Sequence, residues 1–167
     1  DRVSLVLTLG GYASASELVR FYLTGEYRYG PTAGQRRHDP ELVRAFVAAN
    51  ADLLDDATRP LLGAMDGARA DAILAAMSPS VRDLLETLSP VRVAREVPAP
   101  LVLVHGRDDV VVPYTESLRL AATGRSARTT LVIVDVLGHV GAAAGGGLDW
   151  TAITRLWAVA YRLAAAA

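Results

Sequence analysis

Two short apolar runs constrain this chain more than anything else in it. Leu101-Val102-Leu103-Val104 is entered from Pro98-Ala99-Pro100 and left through His105-Gly106, and Leu131-Val132-Ile133-Val134 is left through Asp135. Apolar runs without polar alternation mark strands buried on both faces, the condition of a parallel sheet covered by helices. Between them Pro113-Tyr114-Thr115-Glu116 begins a helix that carries Leu118 and Leu120 and stops at Gly124. Strand, helix and strand over about thirty residues make a right-handed βαβ crossover, with both strands opening at one edge of the sheet. The first strand delivers Asp108 and Asp109 to that edge, and the second, through Asp135-Val136-Leu137-Gly138, delivers His139. The carboxyl edge is where open α/β sheets place their ligands and chemistry.

Composition narrows the partners. The 167 residues are 51% hydrophobic, enough to fill one core. Seventeen basic groups against eighteen acidic ones leave a net charge of −1. The arginines are dispersed, so no electrostatic draw toward nucleic acid or an anionic membrane is expected. Every one of those basic residues is arginine, which removes a Schiff-base lysine and the lysine of a phosphate loop. The absence of cysteine removes disulfides, thiolate metal sites and a cysteine nucleophile. Val3 to Leu9 is too short, and too interrupted by Ser4 and Thr8, for a signal-peptide core or a membrane span. A soluble, cytoplasmic protein is the expectation, and the first residue, Asp1, suggests a chain that begins partway through a longer protein.

In order, Val3 to Leu9 reads as a strand that turns sharply at Gly10-Gly11, and Ser16 as the cap of a helix from Glu17 with Leu18, Phe21 and Tyr22 on one face. Tyr12, Phe21 and Tyr22 are candidate substrate-binding residues; with Tyr27 and Tyr29 they read as pocket walls or, more simply, as a plain aromatic core. After a turn at Gly30-Pro31, residues 32–97 read as helical. Helices are expected from Asp39-Pro40-Glu41, around Leu53 to Met65, around Ala68 to Met77, and from Ser78-Pro79 with Val81, Leu84, Leu85 and Leu88 in its stripe. So long an insertion between two strands is a lid, a small subdomain or added packing. A last helix is expected from Asp149, with Trp150, Ile153, Trp157 and Tyr161 on one face, after a loop, Gly141 to Gly147, too rich in glycine to be stiff.

Strand, Gly106-x-x-Asp109-x-x-x-Pro113, helix, strand and Gly138-His139 together resemble the last third of an α/β-hydrolase. The resemblance implies a fold class of α/β type: a three-stranded parallel sheet with flanking helices and an inserted helical cap, a partial α/β-hydrolase fold. It assigns residues 1–31 and 98–167 to the hydrolase core and 32–97 to the cap that shapes the substrate pocket. It makes Asp109 the triad acid and His139 the triad base, with Asp108 a competitor for the acid, and it implies neither cofactor nor metal. His105 is read as a buried, satisfied histidine.

A triad needs a nucleophile as well, and the sequence offers none. Gly-x-Ser-x-Gly occurs nowhere: Gly11-Tyr12-Ala13-Ser14-Ala15 lacks the second glycine. The expected function is therefore the C-terminal portion of a serine hydrolase cleaving an ester or related acyl bond in a small molecule, inactive alone. A relative with an aspartate nucleophile would cleave a different bond. The rival from another class is a non-catalytic piece that pairs through residues 3–9 with the missing half or with a second copy of itself. A metal site from His105, Asp108, Asp109 and His139 lacks ligand spacing, a dinucleotide site at Gly10-Gly11 lacks Gly-x-Gly-x-x-Gly, and a phosphoacceptor receiver lacks its lysine.

Overall fold

A computed structural model describes residues 3–36 and 70–135, with the single positions 41, 45, 48, 49, 56, 154 and 161. In chain order its elements are β1 (Val6–Leu9), α1 (Ala15–Thr24), β2 (Glu26–Tyr29), β3 (Thr32–Gln35), α2 (Ala70–Ala76), α3 (Pro79–Thr87), β4 (Leu101–Gly106), α4 (Thr115–Thr123) and β5 (Thr129–Val134). The chain divides into two compact units: Asp1–Ala13 with Pro90–Ala167, and Ser14–Ser89.

The first unit holds the parallel sheet expected from the apolar runs, three strands in the order β1-β4-β5. β1 pairs with β4 from Val6↔Leu101 to Leu9↔Val104, and β4 with β5 from Leu101↔Thr129 to Gly106↔Val134. Every residue of β4 is buried, because the strand is covered on both faces. Its alternate side chains feed two clusters: Leu101 and Leu103 pack with Ala13, Ala94 and Leu120 of α4, while Val102 and Val104 pack with Val132, Val134 and Leu5. β1 is shorter than expected, with strand geometry beginning at Val6. Its Val6 faces the cluster around Leu103, whereas Leu7 and Leu9 are exposed. The turn after β1 places Gly10 at φ 62°, a left-handed conformation open to glycine at little cost.

In the second unit α1 starts two residues earlier than expected. Ser14, not Ser16, is the cap, and its hydroxyl accepts the amide of Glu17 at 3.3 Å. Ser14-Ala15-Ser16-Glu17 has the spacing of a capping box, so the signal was present in the sequence. Gly25 closes the helix at φ 72°, where a Cβ would collide with the Arg36 carbonyl oxygen. Residues 32–35, expected to open a helical block, instead form β3, the return strand of an antiparallel hairpin with β2 across Gly30-Pro31. The Tyr27 phenol lies so close over Gly34 that no side chain fits there, which ties the two strands together.

The cap of α3 is as expected, Ser78 accepting the Val81 amide, and Val81 joins Val19, Ile73 and Met77 in a small core. Arg20 of α1 pairs with Asp71 of α2, and the hydrogen bond from that guanidinium holds the Asp71 carboxyl below the ordinary carboxylate range. Glu41, Ala45, Ala48, Ala49, Thr154 and Tyr161 are helical. The helix expected around Leu53 to Met65 and most of those expected from Asp39 and Asp149 lie outside the described residues. Among the described residues no helix is long and apolar enough to cross a membrane.

Candidate functional site

The site grows from the carboxyl end of β4. Past Gly106 the Arg107 amide donates to the Val134 carbonyl at 2.7 Å, and the chain turns back so that the Asp109 amide reaches the Gly106 carbonyl at 3.3 Å. This turn sorts the two adjacent acids, leaving Asp108 exposed and Asp109 only 2% exposed. Asp109 Oδ1 accepts two backbone amides, from Val111 at 2.8 Å and Val112 at 3.0 Å. A carboxylate held by its own loop in this way keeps one oxygen committed to structure and its charge stabilised by N–H dipoles.

His105, on the same strand, is fully buried. Its Nδ1 lies 2.7 Å from Ser117 Oγ on α4, and its Nε2 lies 2.9 Å from the Val112 carbonyl and 3.6 Å from Asp109 Oδ2. Serine, histidine and aspartate thus stand in line, but Ser117 is as buried as His105, so no substrate carbonyl reaches its hydroxyl. The expectation of a buried, satisfied histidine holds. Ser117 was missed, because nothing in its spacing from His105 says that the first turn of α4 faces inward.

Glu116 is also buried there, accepting the Ala13 amide at 3.1 Å through Oε2 and pairing through Oε1 with Arg119 at 3.2 Å. It ties the loop after β1 to α4. Polar residues in a helix's first turn ordinarily face solvent, so the sequence carried no sign of this bond.

Across the strand ends, the Arg107 Nε donates to Asp135 Oδ1 at 2.7 Å, and the guanidinium stands 5.3 Å from the Tyr114 ring centroid. The hydrogen bond to Asp135 is the main reason the Arg107 pKa is raised. Both partners are more than half exposed, so the pair contributes little to stability. Asp135 is the last residue described continuously, and His139, four residues on, lies outside the described residues. The parallel register, ending at Gly106↔Val134, brings the two strand ends to one edge.

Of the aromatic candidates, Tyr12 belongs to the loop after β1 and is half-buried. Phe21 and Tyr22 belong to α1; Phe21 is fully buried, its ring 6.1 Å from that of Tyr22 and 6.2 Å, edge-on, from that of Tyr27. Among the described residues no three His, Cys, Asp or Glu side chains gather as metal ligands.

No family model matches the chain, and no curated protein does. Among solved structures it is similar to a mutant of the meta-cleavage product hydrolase CumD from Pseudomonas fluorescens IP01 complexed with acetates, at 17% identity and a TM-score of 0.38, covering 99% of this chain and 56% of that one. A second CumD mutant matches at 19% identity and a TM-score of 0.36, covering 83% of this chain and 49% of the other. The 2-hydroxy-6-oxo-6-phenylhexa-2,4-dienoate hydrolase BphD from Rhodococcus sp. strain RHA1 matches at 18% identity and a TM-score of 0.37, covering 95% and 55%. The chain spans about half the length of each.

Proposed function

We propose that this chain is the acid-and-histidine part of an α/β-hydrolase, acting in the intact enzyme on an ester or related acyl bond of a small molecule. Asp109 is the acid that orients the base and stabilises its imidazolium, and His139 is the base that takes the nucleophile's proton. The observation that carries the reading is the Asp109 carboxylate, buried at the end of the central strand with one oxygen fixed by two amides. The exposure of Asp108 favours Asp109 over its neighbour. The insertion between β1 and β4, read from the sequence as residues 32–97, serves as the cap.

Because Gly-x-Ser-x-Gly is absent from the sequence, this reading requires a nucleophile and its oxyanion donors from polypeptide outside residues 1–167. The 167-residue chain is therefore expected to hydrolyse p-nitrophenyl acetate no faster than buffer does. Coding sequence on the 5′ side of Asp1 is expected to contain the motif. Turnover by the chain alone that disappears in His139→Ala would locate a nucleophile within it and overturn this division of labour.

A second reading, assembly through β1, has its own support. Val3, Leu7 and Leu9 are exposed, and no charge occurs between Val3 and Ser16 to guard the strand. Among the described residues β1 pairs on one side alone, with β4. Its other edge would receive a strand of the nucleophile-bearing polypeptide or of a second copy. Sedimentation of the purified chain at micromolar concentration is expected to show association. A stable, folded monomer would sink the pairing.

A further inference from the structure

The geometry points to His105 as the positioning residue for Asp109: a neutral imidazole with its proton on Nε2 that pins the turn carrying the carboxylate to β4 and α4. The proposal rests on the reading of Asp109 as the triad acid.

The tautomer follows from the partners. A carbonyl oxygen only accepts, so the 2.9 Å contact between Nε2 and the Val112 oxygen puts the proton on Nε2. Nδ1 is then the acceptor, and the Ser117 hydroxyl, 2.7 Å away, donates to it. Both side chains are fully buried, which disfavours a charged ring. The 3.6 Å from Nε2 to Asp109 Oδ2 is too long for a hydrogen bond, so the Nε2 proton goes to the Val112 oxygen and not to the carboxylate. Glu116, the other buried acid near this turn of α4, is engaged with Ala13 and Arg119.

These bonds close a ring. Val112 is held twice, its amide on Asp109 Oδ1 at 3.0 Å and its carbonyl on His105 at 2.9 Å. Asp109 therefore cannot rotate about its turn without moving Val112, and Val112 cannot move without breaking a bond to the central strand. His105 never touches substrate; it fixes the carboxylate's place at the sheet edge from a site that water does not reach.

Two measurements on the 167-residue chain test this. Long-range proton–nitrogen correlation spectra of histidine-labelled protein are expected to show one ring as the neutral Nε2–H tautomer, a signal lost in His105→Phe. Amide exchange at Val111 and Val112 is expected to rise about tenfold in His105→Phe, the loss of roughly one buried hydrogen bond, while Leu103 and Val132 amides hold their rates. His105→Gln, which offers an N–H to Val112 and an oxygen to Ser117, is expected to restore most of the protection. A ring protonated on Nδ1, or exchange at Val111 and Val112 that His105→Phe leaves unchanged, would overturn the proposal. So would acceleration of all four amides alike in both variants, the mark of a residue that only fills space. Failure of the triad reading would show elsewhere, as full turnover by an Asp109→Asn enzyme, and would leave these spectra untouched.

Discussion

Asp109→Asn is expected, on the proposed reading of Asp109 as triad acid, to lower kcat about 10⁴-fold in an intact enzyme, while costing the fold only about 1 kcal/mol. The asparagine carbonyl replaces Oδ1 and still accepts the Val111 and Val112 amides, 2.8 and 3.0 Å away in the native protein. Its amide group replaces Oδ2, and there the chemistry fails. An N–H donor cannot hold the donor nitrogen of the catalytic imidazole, so the base settles in the wrong tautomer and no negative charge steadies it once protonated. Asp109→Ala separates the two roles, because it also strips two amides of their acceptor. Its expected cost is about 2–4 kcal/mol, enough to move a urea midpoint plainly. Turnover of an activated aryl ester and urea unfolding measure both quantities. An asparagine variant within tenfold of native kcat would move the acid to another carboxylate, with exposed Asp108 the first to try.

The contrast between Asp108 and Asp109 shows where sequence reading stopped. The resemblance, through its spacing from Gly106 and Pro113, favours Asp109, but only the turn, with one acid facing solvent and the other folded onto its own amides, gives a physical reason. The sheet was legible because Leu101 to Val104 and Leu131 to Val134 are too apolar to be half-exposed, and parallel strands follow from a helix between them. The hairpin was not legible. Glu26-Tyr27-Arg28-Tyr29 alternates as a strand should, yet its partner, Thr32-Ala33-Gly34-Gln35, has almost no apolar signal and owes its place to the Tyr27 ring over Gly34. Glu116 and Ser117 were invisible for a related reason. A polar residue in a first helical turn reads as solvated, and only the tertiary partners, Ala13 and His105, show that these two are not.

Leu103→Ala is expected to cost about 3–4 kcal/mol, the largest loss from any single apolar truncation in the sheet. Leu103 sits in the middle of β4, fully buried, with β1 on one side and β5 on the other. It belongs to the cluster of Ala13, Ala94, Leu101 and Leu120, against which Val6, Val91, Ala121 and Leu131 pack, and three of these are alanines with nothing to extend into the space. The vacated volume therefore stays largely empty, and a cavity adds to the lost transfer energy. A small domain holds about 5–15 kcal/mol in all, so this one change removes a large share. Leu9→Ala is the control: it lies on β1 at 56% exposure, and the same truncation there is expected to cost less than about 1 kcal/mol in the monomer, measured below the concentration at which the chain associates. Urea unfolding of both variants decides the matter. Near-equal losses under those conditions would mean that Leu9 is covered in the monomer as well.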